Sequence, residues 1–241
     1  MRGDSTLNVR VWRGGAQGRY QAFEVPRHAS QTVLDVVTHI QRVLDPTLAY
    51  RFSCRVGMCG SCAMTVNGIP RWTCRTHVDK VAGGDRLEIA PLRNLPVIRD
   101  LVTDMREFFD KWAKAKGSFE GRRTRREDFA LISSEDKNRE EVNKGIECIG
   151  CAVCYSACDV VAQNPAYLGP AALNRAWTLI NDVRDTERTE RLRAVAGDSG
   201  CHACHTQGSC NERCPKQIEP TAGISGLKRL TARAALRGEL D

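Results

Sequence analysis

Aromatic residues are scarce in this sequence, 6% of its 241 positions, and no apolar run reaches membrane-spanning length. A bilayer core needs about 20 consecutive apolar residues. The uncharged stretch from Val160 to Asn174 is shorter and is broken by Pro165, Gly169 and Pro170. The opening MRGDSTLNVRVWRGG has charges where a secretory signal needs an apolar segment. No Gly-rich dinucleotide fingerprint or P-loop occurs, and His28, His39, His77, His202 and His205 lack metalloprotease spacing. Neither charge sign dominates, with 36 Lys+Arg against 29 Asp+Glu. The basic run Arg122, Arg123, Arg125, Arg126 is short and soon followed by Asp128, Glu135, Asp136, Glu140 and Glu141. It reads as an exposed, partner-facing connector rather than a nucleic-acid patch. The expectation is a soluble, cytosolic chain with no catalytic constellation of its own and no nucleic-acid partner.

What the sequence does have is 12 cysteines. In a reducing compartment these point to metal rather than disulfides. They fall into three groups, and the chain around them divides in two. The N-terminal part reads α+β. Leu7, Val9 and Val11 alternate as in a half-buried strand, with Tyr20 to Val25 as hairpin partner and Asp85 to Leu92 as a closing strand. Between them, Val33, Leu34, Val37, Ile40, Val43 and Leu44 have helical spacing, with Ser30 as the opening cap and Pro46 as the stop. Leu101, Met105, Phe108, Phe109 and Trp112 suggest a further helix, and beyond Glu141 the chain looks mostly helical. The expected domains are residues 1–100, a charged helical connector over 101–141, and an all-α domain over 142–241.

The first group, Cys54, Cys59, Cys62 and Cys74, has the spacing C-x4-C-x2-C followed by a distant fourth cysteine. Three thiolates from one loop can surround one side of a two-iron core, and Gly57 and Gly60 allow the backbone to approach it. Asn67-Gly68 is a tight-turn signal that brings Cys74 back towards Cys62. This is plant-type [2Fe–2S] grammar. Zinc ribbons use paired C-x2-C knuckles, which are absent here.

Cys148, Cys151, Cys154 and Cys158 spell C-x2-C-x2-C-x3-C. The same ruler laid at Cys204 finds Cys210, Cys214 and Pro215, but Gln207 where the second cysteine belongs. In such repeats the fourth cysteine of each run serves the other cluster. Cys148, Cys151, Cys154 and Cys214 then hold [4Fe–4S]. Cys158, Cys204 and Cys210 hold a cluster one ligand short, expected as [3Fe–4S]. Cys201 is left as an unligated thiol. Three one-electron centres without a catalytic constellation read as a wire whose donor and acceptor lie in other chains.

With CRVGMCGSC, Cys74-Arg75-Thr76, CIGCAVCYSAC, NPAYLGPAALNRA, RDTERTERL and CHTQGSCNERCPKQIEP, nearly the whole chain resembles the iron–sulfur (B) subunit of succinate dehydrogenase and fumarate reductase, the complex II family. The resemblance implies a β-grasp [2Fe–2S] domain followed by an all-α dicluster ferredoxin-like domain. It also implies a flavoprotein partner carrying FAD, one or more membrane anchor subunits, and a place at the cytoplasmic face of the cell membrane. Electrons would pass between the FAD and quinone. By the same resemblance His205, Lys228 and Gln163 lie in the quinone vicinity. Gln163 replaces the Trp of ubiquinone-reducing members and Asp159 replaces a Pro, so menaquinone stands beside ubiquinone as the expected quinone. Asp159 itself reads as a helix N-cap. The alternatives are an electron-transfer subunit of another flavin dehydrogenase and a zinc-stabilised binding protein.

Overall fold

A computed structural model of the chain describes residues 6–122 and 126–240. Arg123 and Arg125 of the basic run lie outside the described residues. The chain forms two units. The first runs to Met105 and takes in Ile149–Ala157; the second comprises Arg106–Cys148 and the chain from Cys158 onward. The segment expected as a connector is thus shared out at Met105, and part of the second cysteine run folds with the N-terminal unit.

The first unit is built on a five-stranded mixed sheet. Its strands are β1 (Thr6–Arg13), β2 (Arg19–Pro26), β3 (Ala63–Val66), β4 (Ile69–Trp72) and β5 (Arg86–Ala90), in the order β2-β1-β5-β3-β4. β1 runs antiparallel to β2 and parallel to β5. The alternation expected over Leu7, Val9 and Val11 is realised, with all three fully buried in the sheet's core. At about 1.5–3 kcal/mol for each fully buried aliphatic side chain, such positions dominate the sheet's stability.

The helix α1 (Val33–His39) packs its Val33, Val36 and Val37 into the same core. Its cap is not the expected Ser30, which sits in a left-handed turn at φ 59°. Thr32 caps it in a reciprocal box with Asp35: the Thr32 hydroxyl accepts from Asp35 N–H at 3.2 Å, and the Asp35 carboxylate accepts from Thr32 N–H at 3.0 Å. Helical residues stop at Leu44, the last turn being a π-turn over Ile40–Leu44. Val43 and Leu44, expected on the apolar face, are exposed there.

The Asn67-Gly68 turn joins β3 to β4 with positive φ at both residues (48° and 78°), as a two-residue hairpin requires. A short helical turn, α2 (Val78–Val81), follows β4, and a small ribbon of β6 (Val97–Arg99) and β7 (Val102–Thr103) closes the sheet region. Leu101, expected in a helix, lies between these strands and is buried with the sheet core.

The helix begins only at Arg106, as α3 (Arg106–Lys114), and opens the second unit. Then come α4 (Lys137–Val142), α5 (Val153–Ser156, which belongs to the first unit), α6 (Asp159–Gln163), α7 (Pro170–Ile180), α8 (Arg188–Ala196), α9 (Ser209–Arg213) and α10 (Pro220–Leu236). α7 is the buried centre, and α10 crosses it closely. Gly226 permits that approach, because a Cβ there would overlap the Trp177 ring. Residues 118–122 are tied into this unit by a buried pair, Arg191 to Asp185 at 2.6 Å, in which Arg191 also donates to Ser118 O at 2.6 Å. Asp185 also accepts from Glu120 N–H at 3.1 Å.

Candidate functional site

The first cysteine group gathers on one loop and the end of one hairpin. Arg55, Gly57 and Gly60 all have positive φ (59°, 75° and 72°), which curls the loop and turns its amides inward. Met58 N–H and Cys59 N–H donate to Cys54 Sγ at 3.2 and 3.3 Å. Backbone donation from Val56, followed by the Cys59 thiol and the Met58 and Cys59 amides, lowers the Cys54 thiol to about 6. Cys74 stands in the helical turn Thr73–Arg75 that ends the hairpin. The strand pairing returns it beside Cys62, with Thr73 N–H and Oγ1 both donating to Cys62 O, at 3.2 and 2.8 Å. Burial, followed by Cys62, pushes the Cys74 thiol up to about 12. One thiol is therefore primed to ionise, while its partner needs a cation to do so. That donor set, in a cradle of inward amides, fits an iron–sulfur core.

The second run is divided by the fold: Cys151 and Cys154 belong to the first unit, Cys148 and Cys158 to the second. Within the first unit Cys151 packs against the buried cluster of Leu34, Cys62, Trp72, Cys74 and Val153. At Gly60, any Cβ would collide with Cys151 Cβ and stand 3.1 Å from its Cα. A cysteine of the second run therefore packs against the loop that carries the first group. Asn94 Nδ2 donates to Tyr155 O at 3.0 Å, and Ser156 Oγ accepts from Arg93 N–H at 2.8 Å; both bonds fasten α5 to the first unit. Cys214 ends α9 in the second unit.

The third group shares one cavity in the second unit. Cys158, Cys204 and Cys210 line it with Tyr167, His205 and Gln207. Cys158 precedes α6 in the N-cap position, and backbone donors at Val160 and Val161 serve its sulfur. The capping place expected for Asp159 is thus held by Cys158, and Asp159 is the first helical residue. Burial, then the neighbouring Cys158 and Cys204, pushes the Cys210 thiol up to about 12. Three thiols around one cavity repel one another as thiolates unless a cationic core sits among them, so this donor set also fits a cluster. Among the described residues no three His, Cys, Asp or Glu side chains close on the position of a single ion. A multi-iron core, by contrast, spreads its thiolates over separate irons.

Of the residues expected near quinone, His205 and Lys228 meet at Cys204. His205 follows it and is exposed at the cavity wall. Lys228 reaches back from α10, its ammonium donating to Cys204 O at 2.6 Å. Gln163 is the exposed last residue of α6 and is not among the cavity's lining residues. Cys201 is fully buried, its Sγ 3.6 Å from Thr231 Oγ1. The sequence reading left Tyr167 without a role, although it stands inside NPAYLGP, nine residues after Cys158. Its position in a motif quoted for other reasons was the only signal.

The family model of a 2Fe-2S iron–sulfur cluster binding domain matches residues 7–110, and that of a 4Fe-4S dicluster domain matches residues 145–218. The chain is 37% identical over 223 residues to the fumarate reductase iron–sulfur subunit of Mycobacterium tuberculosis, covering 90% of this chain and 88% of the relative. It is 34% identical over 240 residues to the mitochondrial succinate dehydrogenase [ubiquinone] iron–sulfur subunit of Dictyostelium discoideum, covering 95% and 84%. The chain belongs to the iron–sulfur subunit family of succinate dehydrogenase and fumarate reductase. A solved structure titled as the Mycobacterium smegmatis Sdh1 complex in the apo form contains a chain that superposes with a TM-score of 0.84 at 28% identity, covering 96% of this chain and 97% of that one. As a family member this chain is the electron-transfer subunit of an oxidoreductase, with a [2Fe–2S] domain of mixed sheet followed by a helical [4Fe–4S] ferredoxin domain.

Proposed function

We propose that this chain relays electrons between the FAD of a flavoprotein subunit and quinone at a membrane anchor. The flavoprotein partner oxidises succinate or reduces fumarate. Cys54, Cys59, Cys62 and Cys74 hold [2Fe–2S]; Cys148, Cys151, Cys154 and Cys214 hold [4Fe–4S]; Cys158, Cys204 and Cys210 hold [3Fe–4S]. When bound, these clusters supply one-electron redox centres of graded potential. No described helix is long and apolar enough to cross a membrane, so attachment to the cytoplasmic face runs through the partners.

The observation that carries this reading is the third cavity, with three thiols around it and Gln207 in place of a fourth. An amide brings no negative charge to the fourth corner, so that corner lacks the thiolate that would retain its iron. Around the site, Tyr167 and Ile224 exclude water, being 1% exposed each. His205 stands at the exposed wall, where a ring nitrogen can bond a quinone oxygen or pass it a proton. The Lys228 ammonium holds the backbone of Cys204 and sets positive charge beside the quinone end. Gln163, at the end of α6, supplies an amide on the same helix that Cys158 caps.

The test compares two activities of the assembled complex. In His205→Ala or Gln163→Ala, quinone turnover should fall while succinate oxidation by an artificial acceptor is retained. Equal losses in the two assays would remove these residues from the quinone end.

A further inference from the structure

Thr231 on α10 takes no part in the relay as described so far, yet it is 1% exposed and its hydroxyl meets four groups. It donates back along the helix to Leu227 O at 2.9 Å, with Lys228 O at 3.2 Å. A hydroxyl has one hydrogen and two lone pairs. With the hydrogen engaged by the helix carbonyls, Thr231 Oγ1 accepts from the other two neighbours, His202 Nε2 at 3.0 Å and Cys201 Sγ at 3.6 Å. The imidazole and the thiol therefore both turn a hydrogen towards α10, and the hydroxyl is fully satisfied. These two residues open the tight turn Cys201–Ala203, which is capped by Cys204; Cys204 N–H donates to Cys201 O at 3.2 Å. One turn before Thr231 on α10, the Lys228 ammonium donates to Cys204 O at 2.6 Å. Both ends of the segment 201–204 are thus tied to one face of the same helix. The turn separates the two thiols: Cys204 lines the third cavity, whereas Cys201 is fully buried against Thr231 and is not among the cavity's lining residues.

We propose that Thr231 is a positioning residue for the third cluster: by fastening Cys201 and His202 to α10, its hydroxyl holds the spare thiol away from the cavity and sets Cys204 in place as the ligand. Thr231 acts through the turn and touches neither the cluster nor quinone. Without the hydroxyl, the buried Cys201 donor has no acceptor, and an unmade buried hydrogen bond loosens the segment that carries it. The proposal rests on the reading of this cavity as a [3Fe–4S] site.

The test exposes the purified complex to an iron chelator and follows the third cluster's electron paramagnetic resonance (EPR) signal, with the [2Fe–2S] signal read in reduced aliquots of the same sample. Thr231→Val keeps the shape of the side chain and removes the hydroxyl. In that variant the three-iron signal should decay about tenfold faster, which corresponds to about 1.4 kcal/mol. The [2Fe–2S] signal should decay at its unsubstituted rate. Thr231→Ser retains the hydroxyl and should bring the three-iron decay back to within about twofold of the unsubstituted complex. His202→Ala removes one of the two donors and should speed the decay by less; it decides the matter if the Val variant does not assemble. An unchanged decay in the Val variant (or in His202→Ala where Val does not assemble), an equal acceleration in Val and Ser, or an acceleration shared by both clusters overturns the role of Thr231. Absence of any three-iron signal in the unsubstituted complex overturns the cluster reading instead.

Discussion

Gly60→Ala tests the packing of the second cysteine run against the first site, and its cost can be worked from two separate sources. The backbone at Gly60 has φ 72°, where an L-residue costs about 1–2 kcal/mol. The new methyl would also collide with Cys151 Cβ, 3.1 Å from Cys151 Cα and 3.3 Å from Ile149 Cδ1. The Ile149 methyl can swing aside, but Cys151 Cα and Cβ are fixed to the backbone, so overpacking adds about 1–3 kcal/mol. The sum is about 2–5 kcal/mol, concentrated where Cys59, Gly60 and Cys151 meet. Gly68→Ala is the control. Its φ is 78°, but a Cβ there meets nothing within 4 Å, so only the backbone cost of about 1–2 kcal/mol applies. Both variants would be assayed by denaturant unfolding followed through cluster absorbance, together with iron per chain. Gly60→Ala should lower the midpoint clearly more than Gly68→Ala and should lose iron. If the two variants proved equal, Cys151 would not press on Gly60 and the contact between the first site and the second run would be wrong.

Asp185→Ala leaves the Arg191 guanidinium buried without its carboxylate, and the loss of a buried pair's partner costs about 3–5 kcal/mol. Residues 118–122 should then become accessible to protease, and an unchanged cleavage pattern would show that this pair does not tether them. Gln207→Cys supplies the fourth thiolate of the C-x2-C-x2-C-x3-C run, so iron content should rise by about one per chain and the third cluster's potential should fall. A variant that kept the three-iron signal would mean that position 207 does not face the missing corner.

The cysteine grammar and the sheet were legible because each depends on local spacing. Period-two alternation placed Leu7, Val9 and Val11 in β1, and Asn67-Gly68 marked the turn that returns Cys74 to Cys62. The cap of α1 was misplaced because two hydroxyl residues compete there. Thr32 wins because Asp35 stands three residues on, as a capping box needs, whereas Ser30 is consumed in a left-handed turn. Leu101 was misread as helical because its spacing to Met105 and Phe108 fits a helix, although tertiary burial with the sheet decides its place. The division of the second cysteine run was beyond reach. Nothing local to CIGCAVCYSAC shows that Ile149–Ala157 packs under Trp72 and Cys62 while Cys148 and Cys158 fold with another unit. Tyr167 was hidden for a related reason, since only the fold carries NPAYLGP over the thiols of a distant run.

The most direct measurement of the relay is low-temperature EPR spectroscopy on the purified complex, first oxidised and then reduced stepwise. The account expects a three-iron signal in the oxidised protein that disappears on mild reduction, followed by two further centres that become visible as the potential is lowered. An oxidised sample with no such signal, or a preparation whose iron and sulfide amounted to one or two clusters per chain, would contradict it.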